Sequence, residues 1–340
     1  MILHNTIDRR LLRQTIAEQA EARKTLSFYR YVRIPDPSAC RDQMYLDLSA
    51  LGVLGRIYVA TEGINAQITV PESRWQDWTA WLDRSPELSG VRINLAVEHD
   101  TRSFFKLKIK VRAKIVADGL DDNEIDLRRS GIHLDAAGFN QLAENPETVI
   151  VDMRNHYESA VGHFEGAICP DVDTFRESLP VVADLLAGQR HKPVIMYCTG
   201  GIRCEKASAY LLHQGFTEVY QLDGGIIQYT RDAREKGLPN KFKGVNFVFD
   251  ERMGERISED VLTGCADCGQ PCDRYRNCCN PGCNLLMTQC EACEVQLDGC
   301  CSEDCRQILL LPEAEQRALR KGRDTATRIF SKGRRYQPIV

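Results

Sequence analysis

One stretch near the middle of the chain constrains its fold more than any other: an apolar run, a cysteine, two glycines and a helical pattern. Residues 194–197 predict a buried strand, and the periodicity from Glu205 onward predicts a helix. Between them, Gly200 and Gly201 allow a tight turn. Open α/β folds place their sites at the carboxyl ends of the strands. The sequence therefore predicts an α/β domain with Cys198 at the edge of its sheet.

The loop after this strand has the composition of an anion nest. Thr199, Gly200, Gly201 and Ile202 supply backbone N–H groups, and the positive end of the following helix lies beside them. Such surroundings favour a thiolate or a persulfide anion on Cys198. We predict these four residues to bind substrate around the sulfur.

Two further residues of the loop are candidates for catalysis alongside Cys198. Arg203 is expected to add a fixed positive charge at the rim of the nest. Cys204 is either a small buried residue of the helix or a second reactive thiol. Four residues separate Cys198 from Arg203, one fewer than in phosphatase loops of the same general design. The shorter loop suits a single sulfur atom or another small group.

Length and composition set the broad class of the protein. A chain of 340 residues with ordinary apolar and charged fractions predicts two or three globular domains. The net charge of −4 means that any basic surface must be local. With no apolar leader and no run of membrane-spanning length, we expect a cytoplasmic protein that does not contact a membrane. Its fifteen cysteines are then reduced, metal-bound or catalytic.

Residues 1–120 predict an α+β domain of the ferredoxin-like or acylphosphatase-like type. The predicted elements are a lead-in helix over 8–24, a strand over 25–34, a helix over 41–51, strands over 56–59 and 66–70, a helix capped by Ser73 that carries Trp75, Trp78 and Leu82, and a strand over 91–97. After the lead-in helix, this order is the split β-α-β-β-α-β arrangement. Trp75 and Trp78 are expected in the core of this domain. Many activities share this fold, so it does not decide the function.

A strictly alternating segment follows over residues 105–115. Cations occupy every second position, at Lys106, Lys108, Lys110, Arg112 and Lys114, with apolar residues between them. In a strand, this alternation places the cations on one face. The face is either a solvated outer surface or a row of contacts to a phosphate backbone. We predict the first four cations to bind substrate.

Beyond a predicted linker over 121–143, residues 144–238 alternate between strand and helix patterns. This alternation predicts a parallel sheet with helices on both faces. Asp152 and Arg154 end its first strand and are expected to be structural or to lie at the rim of the pocket, so both join the predicted substrate-binding set. His163 is expected to cap or pack rather than to act as a base.

A connector over 239–263 leads to a segment, 264–306, that contains eleven cysteines and no histidine. Cys265 and Cys268, like Cys290 and Cys293, have the spacing of zinc knuckles. Apolar residues are too few for a core, so a metal must organise the segment. We predict structural zinc, with an iron–sulfur cluster, redox cysteines or unstructured cysteines as alternatives. The predicted ligands are drawn from Cys265, Cys268, Cys272, Cys278, Cys283, Cys290, Cys293, Cys300, Cys301 and Cys305.

Residues 307–340 form a basic tail. The part over 317–335 carries eight cations and one carboxylate, and its low apolar content predicts a frayed helix with a flexible end. Together with the cations over 106–114, this gives two separate cationic segments in an acidic chain. Either segment is explained by solvation alone, but the pair indicates a polyanionic partner.

The central motifs resemble those of the rhodanese superfamily. They are Asp-x-Arg at 152–154, Gly-His-x-x-Gly-Ala at 162–167, the Cys198 loop and Leu-Asp-Gly-Gly at 222–225. With the acylphosphatase-like start, the strings at 198–209 and 246–258 and the cysteine-rich end, nearly the whole chain resembles the bacterial tRNA uridine hydroxylase family. The resemblance implies that uridine 34 of the tRNA anticodon is converted to 5-hydroxyuridine, with tRNA as partner and dioxygen as co-substrate.

Taken without the resemblance, the residues predict a different reaction, sulfur transfer through a persulfide on Cys198. The chain shows no glycine fingerprint for flavin or nicotinamide and no evident two-His-one-carboxylate iron site, which leaves the redox cofactor open. A third alternative, a non-catalytic RNA-binding or zinc adaptor protein, is disfavoured by the intact loop. Hydroxylation is the main prediction. In this hypothesis Cys198 adds to C6 of uridine, and Cys204 acts as a resolving thiol.

Overall fold

The computed structural model describes residues 21–97, 103–121, 125–321 and 337–338. The predicted helix over 8–24 lies largely outside these residues. Its last two positions, Arg23 and Lys24, belong to the first strand instead. They pair with Pro71 and Val70 of a neighbouring strand, and this sheet pairing overrides the helical spacing.

The N-terminal domain is a five-stranded sheet with two helices. Its elements are β1 (Arg23–Tyr31), α1 (Pro37–Ala50), β2 (Leu54–Ala60), β3 (Gly63–Pro71), α2 (Trp75–Arg84), β4 (Asn94–Leu95) and β5 (Leu107–Val111). The strand order is β4-β1-β3-β2-β5, and β5 runs parallel to β2 while the other neighbours are antiparallel. The acylphosphatase-like α+β fold is thereby confirmed.

Both helices pack on one face of this sheet. Leu26, Phe28 and Ile57 from the strands meet Trp78 and Leu82 from α2 in one apolar cluster. Period-two alternation therefore sends the intervening polar side chains to the opposite face. The predicted cap of α2 is wrong: Ser73 lies in a short 3-10 turn before the helix, and its hydroxyl donates a hydrogen bond to Glu21.

The central domain is a parallel sheet covered by helices. Its elements are β6 (Ile132–Leu134), α3 (Ala136–Ala143), β7 (Val149–Asp152), α4 (His156–Ala160), β8 (Gly162–Phe164), α5 (Phe175–Leu185), β9 (Val194–Tyr197), α6 (Ile202–His213), β10 (Val219–Leu222) and α7 (Gly225–Lys236). The order β6-β10-β9-β7 places β9, which precedes Cys198, inside the sheet. Apolar clusters on both sides of the sheet confirm the predicted α/β architecture.

The predicted linker over 121–143 is wrong in its second half, which contains β6 and α3. Asp135 explains the helix, because its side chain accepts a hydrogen bond from the Gly138 backbone and caps the N-terminus. β6 forms because it pairs with β10 at the edge of the sheet. The polar composition that indicated a linker reflects this exposed edge position.

The last part of the chain consists of short elements. They are β11 (Phe242–Asn246), β12 (Glu255–Arg256), β13 (Thr263–Gly264), β14 (Tyr275–Asn277), β15 (Leu286–Thr288), α8 (Glu291–Gln296), α9 (Glu303–Leu310), α10 (Glu313–Arg320) and β16 (Gln337–Pro338). The predicted connector is thus partly a strand, because β11 pairs with β8 of the central domain. Most of the predicted frayed helix over 317–335 lies outside the described residues. Among the helices that are described, none combines the length and apolarity needed to cross a membrane.

Candidate active site

The Cys198 loop is held between two helix N-termini. β9 ends at Tyr197, and α6 begins after Gly201, whose backbone is left-handed with φ 95°. The Gly201 N–H lies 3.1 Å from the Cys198 sulfur and donates to it. From beneath, the first turn of α7 binds the loop carbonyls, because Ile226 N–H donates to the Cys198 carbonyl at 3.0 Å. A side chain at Gly225 would collide with that carbonyl, at 2.5 Å.

The surroundings of Cys198 stabilise its thiolate. Burial acts to raise the pKa of this thiol, but a hydrogen bond from Cys204, the Arg203 charge and the backbone N–H groups of Arg203 and Gly201 outweigh it and lower the pKa to about 6, from an ordinary value of 9.0. Burial and the Cys198 sulfur raise the pKa of Cys204 instead. At neutral pH the geometry therefore describes one thiolate beside one neutral thiol.

The sequence predicted Arg203 at the rim of the nest, but in the structure its side chain points toward the interior of the domain. Its guanidinium turns inward and binds both carboxylate oxygens of Glu158 at 2.6 and 2.8 Å. Glu158 is the third residue of α4, and its carboxylate is fixed by a hydrogen bond of 3.0 Å from the Asn155 backbone N–H in the capping box of this helix. This ion pair forms because a buried guanidinium requires a carboxylate partner. Arg203 also lines the cavity, and its charge lowers the pKa of Cys198. The catalytic role of Arg203 stays a prediction.

The structure places Asp152 and Arg154 behind the cavity, in the interior of the domain. Both side chains are 0% exposed and pair with each other, with Arg154 Nη2 at 2.6 Å from Asp152 Oδ2 and from the Gly162 carbonyl. The two residues therefore tie the end of β7 to β8 and support the loop indirectly. His163, which was expected to cap or pack, donates from Nδ1 to the Ser159 carbonyl at 2.9 Å.

Above Cys198 lies a cavity of about 240 Å³ whose walls come from three parts of the chain. The loop forms the floor, the exposed sheet face of the N-terminal domain forms one wall, and the segment after β11 closes another. The lining includes Ser27, Tyr29, Asn65, Gln67, Asn94, Phe104, Thr199, Gly200, Phe249, Asp250 and Arg252. The predicted Thr199, Gly200 and Ile202 all line this cavity, whereas Gly201 is outside the lining and donates its N–H to the Cys198 sulfur.

Two polar groups of this cavity have no hydrogen-bond partner within the part of the chain that the structure describes. They are the Asn94 Oδ1 and the Thr199 Oγ1 atoms, both fully buried. The Asn94 amide nitrogen meanwhile donates to the Gly200 carbonyl at 3.2 Å. Because a buried polar atom without a partner is costly, these two atoms mark where a bound molecule is expected to form hydrogen bonds.

The N-terminal domain is fastened to the loop helix by two polar networks. In the first, Glu205 of α6 accepts hydrogen bonds from the Tyr29 hydroxyl at 3.1 Å and the Gln221 amide at 3.1 Å, and contacts His133 Nε2 at 3.0 Å. The Tyr29 hydroxyl also reaches Gly201 so closely that a Cβ there would lie 2.9 Å away. The cavity therefore exists only where the two domains meet.

The second network centres on Lys206, the residue after Glu205. Its ammonium group is almost fully buried and binds Glu62 of the N-terminal domain at 2.6 Å, as well as Asp118. Asp118 also binds Lys114 at 2.9 Å. Lys114 is therefore turned away from the other four cations of the alternating segment, because a buried carboxylate attracts it.

The other predicted cations lie beside the cavity. A groove of about 440 Å³ is lined by Lys106, Lys108 and Lys110, with Arg56 and Tyr58 from the neighbouring strand. Arg112 stacks over the Tyr58 ring, 5.6 Å from its centre. Phe104 lines both the groove and the cavity. The predicted substrate-binding cations are therefore continuous with the Cys198 site.

The cysteine-rich segment contains two groups of four sulfurs, within each of which all ligand atoms lie inside 4.8 Å of one another. The groups are Cys265, Cys268, Cys290 and Cys293, and Cys278, Cys283, Cys301 and Cys305. Sulfur separations of 3.7 Å and 3.6 Å occur in the first and second group respectively. A tetrahedral metal with bonds of about 2.3 Å requires sulfurs about 3.8 Å apart, so both groups can hold a metal ion.

Cys272 and Cys300 are outside both groups, which corrects their prediction as ligands. The Cys272 carbonyl bonds the Thr263 hydroxyl, and Cys300 is buried beneath the second group with its thiol toward the Asp298 carbonyl. Both therefore serve the packing around the two groups. Eight of the ten predicted cysteines are brought together as candidate ligands.

Several residues of the site could not be predicted from the sequence. Glu158, Tyr29, Asn94 and Glu205 carry no motif, and their parts depend on docking between distant segments. Arg56 gave a weak signal, since it alternates with apolar residues in a predicted strand. Even so, only the pairing of β2 with β5 brings it beside the lysines.

Comparison with protein families divides the chain in the same way. Residues 23–115 match the UPF0176 acylphosphatase like domain, residues 135–232 the rhodanese-like domain, and residues 243–306 the rhodanase C-terminal model. A solved rhodanese-like domain from Anabaena is 21% identical, covers 33% of this chain and 78% of that one, and has a TM-score of 0.27. A rhodanese-like domain protein from Staphylococcus aureus is 23% identical, covers 29% and 90%, and has a TM-score of 0.24.

Curated relatives match nearly the full length. A tRNA uridine(34) hydroxylase from Yersinia pestis (strain Pestoides F) is 52% identical over 98% of this chain and 94% of its own. Another, from Photorhabdus laumondii, is 51% identical over 98% of this chain and 95% of its own. Because this identity extends across the acylphosphatase-like, rhodanese-like and cysteine-rich parts together, the chain belongs to the tRNA uridine(34) hydroxylase family.

Proposed function

We propose that this protein hydroxylates uridine 34 of tRNA, the reaction for which its relatives are named, and that Cys198 is the reacting thiol. The observation that carries the proposal is a buried sulfur with a pKa of about 6 at the floor of a cavity walled by two domains. The unpartnered Asn94 and Thr199 oxygens offer hydrogen bonds to a base that enters it. A uridine of an anticodon loop is single-stranded, so turning it into such a cavity costs little.

The thiolate explains how an unreactive ring position becomes reactive. The Cys198 sulfur forms a bond to C6 of uridine, and the electron pair of the C5–C6 bond moves to C5. One atom of dioxygen then ends on C5 as a hydroxyl group, and loss of the C5 proton with release of the sulfur restores the double bond. The other oxygen atom leaves as water. Oxygen transfer from dioxygen requires two further electrons beyond those supplied by uridine.

Cys198 and Cys204 are the proposed source of these two electrons. In this scheme dioxygen first adds to C5 as a peroxide, and the free Cys204 thiol takes its outer oxygen as a sulfenic acid, which leaves a hydroxyl group on C5. Once Cys198 has left C6, its thiolate displaces that oxygen from Cys204 as water and closes the disulfide, so the two sulfurs supply the two electrons that turn one dioxygen into one hydroxyl group and one water. The two thiols shift each other's pKa in opposite directions, which places them close enough to support this pairing. A cellular thiol then reduces the disulfide before the next turnover. Arg203 is proposed to favour each thiolate state of Cys198 through its charge.

The proposed tRNA contacts follow the cations beside the cavity. Lys106, Lys108, Lys110 and Arg112 are proposed to contact phosphates of the anticodon loop, since phosphate contacts position an RNA without reading its sequence. The reaction is proposed to occur in the cytoplasm, where reducing thiols keep Cys198 available.

The two four-cysteine groups are proposed to hold structural zinc. Four thiolate ligands without an open position make a closed zinc site, which stabilises the fold and takes no part in the chemistry. Backbone N–H groups support this assignment, since Cys290 N–H donates to Cys265 and Cys301 N–H donates to Cys278, each at 3.4 Å. These hydrogen bonds are suited to sulfurs that carry charge.

The test is nucleoside mass spectrometry of unmodified tRNA incubated with the full-length protein and a thiol reductant under isotopically heavy dioxygen. We expect one heavy oxygen on uridine 34, and none with the Cys198→Ser variant. A gain of sulfur on the tRNA, or full hydroxylation by Cys198→Ser, would contradict the proposal. Cys169→Ser is the matched control, because Cys169 is a partly buried thiol outside the cavity lining.

A further inference from the structure

The face of the N-terminal sheet opposite its helices carries two rows of polar side chains that cross four strands. In the first row, Ser27 pairs with Gln67, Gln67 with Arg56, and Arg56 with Lys108. In the second, Tyr29 pairs with Asn65, Asn65 with Tyr58, and Tyr58 with Lys110. We call these eight residues the sheet-face rows. Neighbouring strands lie about 4.8 Å apart, so each row spans about 14 Å.

The rows remain partly or fully accessible, unlike the residues that alternate with them. All eight side chains are half-buried or exposed. Phe28, Ala66, Ile57 and Ile109, which point the other way, are buried in the core. A sheet that shows apolar residues on one face and accessible polar, aromatic and basic residues on the other has a surface suited to binding.

One end of each row lies at the Cys198 loop. Ser27, Gln67, Tyr29 and Asn65 line the cavity above Cys198. The Ser27 hydroxyl lies 3.7 Å from where a Cβ of Gly200 would be, and the Tyr29 hydroxyl lies against Gly201. A molecule seated over Cys198 therefore lies at the start of both rows. The segment after β11 borders the path beyond, where Arg56 Nη2 donates to the Phe249 carbonyl at 3.5 Å and Glu251 lines the groove.

The other end of each row is cationic. Lys106, Lys108, Lys110 and Arg56 lie together in the groove, with Glu251 as the carboxylate of its lining. Burial is the largest cause that lowers the pKa of Lys108. Repulsion from the charges of Lys110, Lys106 and Arg56 lowers it further. Such a cluster gains most from an anion with several charged groups along its length.

We propose that the sheet-face rows bind the nucleotides next to uridine 34, so that the RNA crosses the sheet from the Cys198 cavity to the lysines. This inference rests on the proposed function. The chemistry of the rows fits single-stranded RNA. Tyr58 provides an aromatic ring on which a base stacks when the Arg112 guanidinium above it turns to a phosphate. The Asn65 side-chain oxygen, whose amide nitrogen donates to the Ile115 carbonyl, and the Gln67 amide offer hydrogen bonds, and the cations bind phosphates. The strand order converts these separate residues into one continuous path.

The first experiment measures binding of an anticodon stem-loop RNA to the full-length protein as a function of salt, without turnover. For Lys108→Gln with Lys110→Gln, we expect about tenfold weaker binding and a salt slope smaller by about 1.4, because two phosphate contacts are lost. For Tyr58→Leu, the loss of stacking weakens binding about tenfold and leaves the slope unchanged.

The matched control removes two positive charges from the opposite layer of the same domain. Arg74, in the turn before α2, and Arg84, the last residue of α2, are both exposed, and α2 covers the other sheet face. Arg74→Gln with Arg84→Gln should therefore bind as wild type. If the lysine variant and the control bind equally well, the proposed path is wrong. Product formation is measured separately. A wild-type protein that binds in the expected way but forms no 5-hydroxyuridine would overturn the proposed function and leave the path standing.

A second experiment needs no variant. Wild-type protein is irradiated with stem-loop RNA that carries 4-thiouridine at the nucleotide adjacent to position 34, and the crosslinked peptides are identified by mass spectrometry. We expect crosslinks within residues 54–60 or 107–111, which form β2 and β5. Crosslinks confined to the cysteine-rich segment or to the basic tail would overturn the proposed path.

Discussion

Cysteine sulfur meets two contrasting environments in this protein, at the Cys198 loop and in the two four-cysteine groups. Cys198 and Cys265 are equally buried, each 0% exposed. Cys198 has backbone N–H groups, Arg203 and one second thiol around it, whereas Cys265 has three other thiols within 4.8 Å. The number of neighbouring sulfurs, rather than burial, therefore separates a candidate nucleophile from candidate metal ligands. Four crowded thiolates require a cation, whereas one thiolate is stabilised by hydrogen bonds.

The sharpest test of this contrast removes the single sulfur. Cys198→Ser should abolish formation of 5-hydroxyuridine, with a loss of at least about 10⁴-fold, because a serine hydroxyl in place of the thiolate does not add to C6. Metal content and thermal unfolding should equal those of the wild type. A variant that loses metal together with activity would show that the two regions are not independent.

Removing one sulfur from a four-cysteine group should change the metal content and the stability, both of which the Cys198 variant leaves unchanged. Cys268→Ser should lower the metal content by one equivalent and reduce the free energy of unfolding by several kcal/mol, because metal binding supplies the stability of this segment. Cys279→Ser is the control, since Cys279 is equally exposed and outside both groups. Metal analysis and calorimetry provide the measurements. Equal metal content in the two variants would be inconsistent with the assigned ligands.

The second thiol at the loop should matter less than the first. In Cys204→Ala, the hydrogen bond that stabilises the Cys198 thiolate is lost, so the Cys198 pKa should rise and turnover at neutral pH should fall about tenfold. Without added reductant, the variant should also lose the single turnover that a disulfide supports. Rapid-quench measurements with and without a thiol reductant separate these effects. Unchanged single-turnover yield would exclude Cys204 as the electron source.

The smallest expected effect is a shift in the pH at which Cys198 becomes reactive. Because the thiolate is the reacting form and the pKa of Cys198 is about 6, its alkylation by iodoacetamide should increase through pH 6 and remain constant above it. An ordinary thiol, with a pKa of 9.0, would still be gaining reactivity at pH 8. Peptide mass spectrometry resolves Cys198 from the other cysteines. A midpoint above pH 8 would contradict the geometry of the nest.

Local patterns predicted the catalytic loop well because its parts are adjacent in the chain. An apolar strand, two glycines and a helix N-terminus are sufficient to place N–H groups around Cys198. The ion pair of Arg203 was not predicted, since its partner Glu158 is forty-five positions away and lies on another helix. The cavity walls were inaccessible to prediction for the same reason, because Tyr29 and Asn94 reach the loop only after the domains dock.

The cysteine-rich segment shows the same limit in another form. Both knuckle pairs were evident, and they join each other in one group. The second group combines Cys278 and Cys283 with Cys301 and Cys305, whose spacings are less distinctive. The ligands of the two groups therefore interleave along the chain. Only the pairing of β14 with β15 and the positions of α8 and α9 determine which eight of eleven cysteines meet.

The polar network centred on Lys206 has a consequence for how the two domains are inherited. Lys206 belongs to the helix that follows the catalytic cysteine, yet its charge is neutralised by Glu62 of the N-terminal domain and by Asp118 between the domains. A gene fusion that joined this rhodanese-like domain to a different neighbour would bury an unmatched ammonium group beside the site. Loss of either acid would have to be followed by a compensating change. The two domains are therefore expected to be inherited together, as one unit of descent rather than as exchangeable modules.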